Sequence, residues 1–152
     1  MHHLRPATVD DLECILHHRR SMFADMNEGS EADRDAMIAV ARPFIAAGLV
    51  DGSYRGWLIE IAGDVVAGGG VAIVPYQPTP LDPVCHRAFV LNVYTEPAFR
   101  RQGLARMLME TIVAWCRQEG FRSLSLHASD DGRPLYDSLG FQPTNDMRLV
   151  LK

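Results

Sequence analysis

Three consecutive stretches between residues 88 and 119 limit the fold more than any other part of the chain. Ala88-Phe89-Val90-Leu91-Asn92-Val93-Tyr94 reads as a buried strand. Arg100-Arg101-Gln102-Gly103-Leu104-Ala105 follows as a short loop, and a helix then runs to about Glu119. Leu104, Met107, Leu108, Thr111, Ile112 and Trp115 recur on one face of that helix, leaving Arg106, Glu110, Arg117 and Gln118 outside. A helix start that follows a strand presents backbone N–H groups the helix itself cannot satisfy, and the helix dipole adds partial positive charge. Such a place binds anions, and a diphosphate is a common guest. Gly103 has no Cβ, so a phosphate oxygen can come close to the backbone. Arg100 and Arg101 can add charge-assisted contacts.

The remaining chain supplies a frame for this unit. His3 to Ala7 reads as a first strand, and Thr8 with Asp11 as the cap of a helix running to about Asp25. Leu12, Ile15, Leu16, Arg19, Met22 and Phe23 recur at helical spacing, all apolar except Arg19, and read as core. The adjacent His17 and His18 point in different directions, so they make no metal pair and read as a solvated face. A second helix is expected from Ser30 to about Ala47, broken or kinked near Arg42 by Pro43 and stopped by Gly48. Trp57–Ala62 and Val65–Val74 read as a hairpin joined at Gly63-Asp64. The Gly68-Gly69-Gly70 run inside its second strand implies a bulge or a close backbone approach. The proline-rich segment 75–83 is either a border of a binding site or a stiff connector. Beyond Gly120 come a strand at Ser123–Ala128, a short helix at Arg133–Leu139, and a last strand at Met147–Leu151. Together these make one α/β (α+β) domain, residues 1–152, with a mixed central sheet flanked by helices.

Composition narrows the function. A formal net charge of −4 opposes general nucleic-acid binding, which needs a positive face. No apolar run has the length of a membrane span, and Met1-His2-His3-Leu4-Arg5-Pro6 lacks the apolar core of a signal peptide, so a cytoplasmic protein without membrane partners is expected. Cys14, Cys85 and Cys116 are too scattered for a disulfide framework; the first and last read as core or boundary residues, and Cys85 is a minor candidate for a thioester nucleophile. No His/Asp/Glu set has metal-ligand spacing, so no metal is expected.

The Arg-x-x-Gly-x-Ala loop after a strand resembles the acetyl-CoA signature of GCN5-related N-acetyltransferases. Leu135-Tyr136-Asp137-Ser138-Leu139-Gly140-Phe141 is similar to that family's Leu-Tyr-x-x-x-Gly-Phe segment, and Leu4-Arg5-Pro6-Ala7-Thr8 with Asp11 resembles its first strand and helix start. The resemblance implies the acyl-CoA N-acyltransferase fold, in which two neighbouring strands splay apart to admit the pantetheine arm; here they are the strands around Leu91–Tyr94 and Leu124–Ala128. It implies acetyl-CoA as cosubstrate, with contacts from Leu91, Asn92, Val93 and Tyr94, from Arg100, Arg101, Gln102, Gly103, Leu104 and Ala105, and from Ser129.

The implied reaction is direct transfer of an acetyl group to a primary amine of a small molecule or peptide. The amine must be neutral to attack, and freeing a lysine-type amine at pH 7 costs roughly 4–5 kcal/mol. Backbone N–H groups near Val93 and Tyr94 are candidate oxyanion donors. Tyr136 matches the family tyrosine that donates to the departing thiolate. Some relatives carry a glutamate on the preceding strand; Ser123-Leu124-Ser125-Leu126-His127-Ala128 has none, which leaves His127 and ordered water as the two routes for the proton. Glu96 reads as a residue that positions the loop. The same family builds much of its acceptor site between the first two helices. In this chain Asp25, Glu28, Glu31, Asp33 and Asp35 there would attract a cationic acceptor or simply solvate a helix start. A non-catalytic CoA-binding or regulatory domain is the alternative function, and both a monomer and a homodimer stay open.

Overall fold

The computed structural model describes residues 1–151. Its five strands follow chain order across one sheet: β1 His2–Pro6, β2 Tyr54–Ile61, β3 Asp64–Pro75, β4 His86–Thr95 and β5 Leu124–Ser125. The first three pairings are antiparallel and the β4–β5 pairing is parallel. Helices α1 Leu12–Asp25 and α2 Glu31–Asp51 cover one face, where Ile15, Leu16 and Ile45 pack on Tyr54 and Ala72. Helix α3 Leu104–Gln118 covers the other through Leu104, Leu108, Met109, Ile112 and Cys116. The short α4, Arg133–Ser138, lies on the α3 side, with Leu135 and Tyr136 against that core. Among the described residues no helix is long and apolar enough to cross a membrane.

The caps form as the residues suggest. Thr8 and Asp11 make a reciprocal capping box that opens a 3-10 turn ahead of α1, and Ser30 with Asp33 makes another at α2. The expected break at Pro43 is absent, and α2 runs through it to Asp51. Pro43 and Ala39, whose carbonyl loses its helical donor, both face solvent, so water can serve that carbonyl. Gly48 is not the stop. A Cβ there would lie 2.6 Å from the Tyr54 Cβ, so it is a packing glycine, and Gly52 (φ 84) ends the helix instead. In the hairpin the two turn residues are Ala62 and Gly63, both at positive φ, rather than Gly63-Asp64.

Two strand expectations fail for one reason. The strand expected at Ser123–Ala128 shortens to Leu124–Ser125, and none forms at Met147–Leu151. β5 pairs with β4 only at Ala88↔Leu124 and Phe89↔Ser125, and the two chains part beyond that. A two-residue strand offers no ladder on which a further strand could pair.

Two of the three glycines of β3 make room for bulky side chains lying over the sheet, one from α1 and one from β2. A Cβ on Gly68 would sit 2.8 Å from the Nδ1 of His18, and one on Gly70 would sit 2.2 Å from the Tyr54 hydroxyl. Their absence lets His18 and Tyr54 cross the sheet surface. His18, expected on a solvated face, is 1% exposed, and burial pushes its pKa down to about 4. His17 is the solvated one.

Candidate active site

The parting of β4 from β5 begins with the β4 backbone. Gly68 pairs with Tyr94 and Gly70 with Leu91, so Asn92 and Val93 together oppose the single residue Gly69. This is a β-bulge, and Asn92 takes the left-handed conformation (φ 62) that it requires. A bulged strand bends, and the ladder to β5 ends just before the bend. Among the described residues no backbone hydrogen bond crosses from 90–94 to 126–129. A cavity of about 380 Å³ occupies the gap. Its walls are Val90–Val93 from β4, Leu126–Ser129 beyond β5, Tyr136 from α4, Arg148 from the C-terminal segment, and Arg19, Met22, Phe23, Met26 and Glu28 from α1 and the turn after it.

Six expected site residues therefore meet at one cleft: Leu91, Asn92, Val93, His127, Ser129 and Tyr136. Tyr136 is half-buried, and burial raises its pKa, so its hydroxyl holds its proton throughout the neutral range. The ring stacks edge-on to Phe141 at 5.8 Å, and the hydroxyl makes no hydrogen bond to another described residue. His127 is exposed, and its Nδ1 accepts from the Arg148 guanidinium at 3.4 Å. The Ser129 hydroxyl accepts from the Gly132 amide at 3.1 Å and so shapes the entry to α4. The Asn92 side chain is 3% exposed and points toward α1: its Nδ2 donates to the Tyr54 hydroxyl at 3.0 Å and its Oδ1 accepts from Arg19 at 2.8 Å. Tyr54, pushed up to about 12 by burial, remains a neutral phenol.

Tyr94 and the 100–105 loop lie outside the cleft lining, at the end of β4. Tyr94 stacks near His18 (5.6 Å) and under Arg100 (5.4 Å). Arg100 is engaged on the α1 side, donating to the Thr95 carbonyl at 2.9 Å and to Asp25 at 2.6 Å. Glu96 pairs with His17 at 2.7 Å, a second tie from this loop to α1. Arg101, exposed and with no ion pair among the described residues, is the cation left at the loop. Arg101 (φ 63) and Gly103 (φ 80) are both left-handed, which coils the chain tightly before α3. Gly103 holds the N-cap position with no side-chain cap, and nothing stands within 4 Å of where its Cβ would be. The start of α3 is thus uncapped by any side chain and unobstructed beside Gly103.

Several sequence candidates lie elsewhere. Cys85 is exposed and borders a separate cavity at the other end of β4, with His86 and Arg55. No residue of 76–84 lines the cleft; that segment is a connector tied by the Thr79–Asp82 bridge and by Arg87. The acids between α1 and α2 are largely spent: Asp25 on Arg100, Asp33 on the α2 cap and Asp35 on Arg20. Reading the sequence missed Arg19, Met22 and Phe23 as cleft residues, whereas Glu28, one of the acids expected near the acceptor, does line the cleft. The available signal was Arg19 itself, a lone charge in an apolar helical stripe.

A mixed sheet parted at its parallel pair, with an open helix start after the central strand, defines the acyl-CoA N-acyltransferase fold. Known proteins agree. The chain is similar over 99% of its length, and 99% of the other's, to a GCN5-related N-acetyltransferase of Ralstonia eutropha JMP134, with TM-score 0.94 and 33% identity. A predicted acetyltransferase of Clostridium acetobutylicum, solved with acetyl-CoA, shares the fold at TM-score 0.90 and 23% identity, covering 99% of this chain and 96% of that one. The Escherichia coli (strain K12) protein described as uncharacterized N-acetyltransferase YjgM is 33% identical over 89 residues, which is 57% of this chain and only 50% of that protein. The model of the acetyltransferase (GNAT) family matches residues 16–141, and the chain belongs to that family.

Proposed function

We propose that the protein transfers the acetyl group of acetyl-CoA to a primary amine by direct attack within the β4–β5 cleft. The observation that carries this reading is the cleft itself, which opens where the parallel ladder stops and has the unpartnered Tyr136 hydroxyl on its wall. The Clostridium acetobutylicum relative solved with acetyl-CoA supports the choice of cosubstrate. When bound, acetyl-CoA supplies the acetyl group as an activated thioester. The amides from Arg101 to Ala105, with the Arg101 side chain, would hold its diphosphate. Beyond Phe89 the β5-side edge of β4 has no strand partner, so its free backbone groups would pair with the amides of the pantetheine arm. Backbone N–H groups around Val93 would face the carbonyl oxygen as charge develops on it. Tyr136 holds a proton at its hydroxyl and donates it toward the leaving sulfur. On the cleft wall the His127 imidazole and the Glu28 carboxylate are the groups able to take the proton of an incoming ammonium, and open water is the third route.

Thiol release from acetyl-CoA across a panel of primary amines tests the activity, and calorimetry on Gly103→Val tests the diphosphate site. Amine-dependent CoA release is expected, with a weaker affinity for CoA in the variant. An unchanged affinity in a Gly103→Val protein that still melts cooperatively moves the diphosphate elsewhere. Tight CoA binding with no release toward any amine makes the protein a binding or regulatory domain.

A further inference from the structure

Arg19 is a half-buried cation on the cleft wall with no carboxylate partner among the described residues. Six other arginines (5, 20, 42, 87, 100 and 106) each stand within ion-pair distance of a carboxylate. Arg19 is half-buried on the inner stripe of α1 and has no such partner among the described residues. Its neighbours are the Asn92 Oδ1, which accepts one of its N–H groups at 2.8 Å, and the Phe23 ring, 5.1 Å below the guanidinium. Burial pulls its pKa down, the sign of a charge held away from water without compensation. A guanidinium carries five N–H donors in a flat fork, so most of its capacity remains unused on a residue that lines the cleft.

The fork is also held in place. Arg19 can only donate, so the Asn92 oxygen faces it, and the Nδ2 on the other end donates to the Tyr54 hydroxyl at 3.0 Å, which holds the amide in that position. Tyr54 reaches that far only because Gly70 has no side chain. A relay of buried groups from β2 through β4 therefore orients one cation on the α1 wall. Tyr136 stands on the opposite face of the sheet, with the parted strands between them. Of the other charged side chains on the lining, Arg148 adds a second cation and Glu28 a single carboxylate. A cleft so furnished favours an anionic group on the acceptor, and a flat fork matches a carboxylate in two parallel hydrogen bonds.

Resting on the acetyltransferase reading above, we propose that the acceptor is an amine bearing a carboxylate, of amino-acid type, and that Arg19 binds that carboxylate. In the transfer the N–C bond to the acetyl carbon forms, the thioester C–S bond breaks, and a proton lost by the amine is matched by one gained at the CoA sulfur. Arg19 enters none of these bonds; it is a binding residue that sets specificity.

The test compares kcat/KM for α- and ω-amino acids with their carboxamides, in the parent, Arg19→Lys and Arg19→Met, each checked for an unchanged melting profile. The free acids are expected to be preferred by about 10- to 100-fold, the range for a hydrogen-bonded charged group. Arg19→Met should erase the preference, and Arg19→Lys should keep part of it. Calorimetric binding of the N-acetyl amino acid to the CoA-loaded protein, which needs no turnover, should be lost in Arg19→Met. Equal use of acid and amide by the parent, a diamine as the best acceptor, or a preference that survives Arg19→Met overturns the proposal while leaving the acetyltransferase reading intact. Acetyl-CoA binding with no transfer to any amine overturns both.

Discussion

The two lips of the cleft are built in opposite ways. The β4 lip is a ten-residue strand laddered along β3, bulged at Asn92 and pinned from behind by Tyr54, Asn92 and Arg19. The β5 lip pairs over two residues and continues as irregular chain to Ser129, held by the Ser129–Gly132 contact and the weight of Tyr136 against Phe141. The β4 lip has the Asn92 and Tyr54 side chains answered inside the protein and leaves its own backbone edge beyond Phe89 without a strand partner, whereas the β5 lip presents the Tyr136 hydroxyl with no hydrogen bond among the described residues. Under the proposed function the contrast would put recognition on the rigid lip and acid chemistry on the open one, because a buried hydrogen-bonded network orients a group, whereas a proton donor needs a hydroxyl free to reach the substrate.

The largest effect expected of any single change is on the open lip. Tyr136→Phe keeps the ring against Phe141 and removes the hydroxyl. Steady-state turnover should fall by about 10²–10⁴, the usual contribution of a positioned acid or base, with calorimetric CoA affinity little changed. Parental turnover from pH 6 to 9 would reduce Tyr136 to packing and dissolve the contrast.

The packing of α1 on the sheet beside the rigid lip should betray itself through pH. His18 titrates near 4 in the folded protein because it is buried, against 6.5 ordinarily. Between those values the unfolded chain binds the proton and the folded one does not, so stability is retained at neutral pH and lost as pH falls from about 6.5 toward 4. The loss is on the order of 3 kcal/mol across that window. Urea unfolding midpoints at pH 7 and pH 4.5 should separate strongly for the parent and less for His18→Gln. An equal separation in both would place the acid sensitivity elsewhere.

A smaller effect is expected at Tyr54→Phe. The Asn92 Nδ2 would lose its acceptor in a site closed to water, at a cost of about 1–3 kcal/mol. With Asn92 free to turn, KM for the acceptor should rise more than kcat falls. A variant as stable as the parent, with unaltered KM, would show that the relay behind Arg19 has no function.

Local chemistry was legible wherever near neighbours in the chain decided it. Thr8 with Asp11 and Ser30 with Asp33 announce their capping boxes, and the α3 stripe announces its buried face. The loop ending at Gly103 announces the start of a helix, and the Tyr136 segment a short helix. The expected parting of the strands near Leu91 and Leu124 has its counterpart in the structure, because the resemblance that implied it spans both strands.

What the sequence could not reveal depends on residues far apart in it. Whether a histidine in α1 is wet or buried depends on Gly68, fifty positions after His18 in the chain and outside any local period. Whether Pro43 breaks α2 depends on which side of the helix meets water. The Asn92 hydrogen bonds span 38 residues to Tyr54 and 73 to Arg19. A helical period of 3.6 or a strand period of 2 reports only which face a residue occupies. It does not report what stands opposite that face, and Arg19 shows the consequence. Its place in an apolar stripe was set by the sequence, whereas its exposure to a cleft was set by the bulge in β4 and the early end of β5, both of them properties of the assembled sheet.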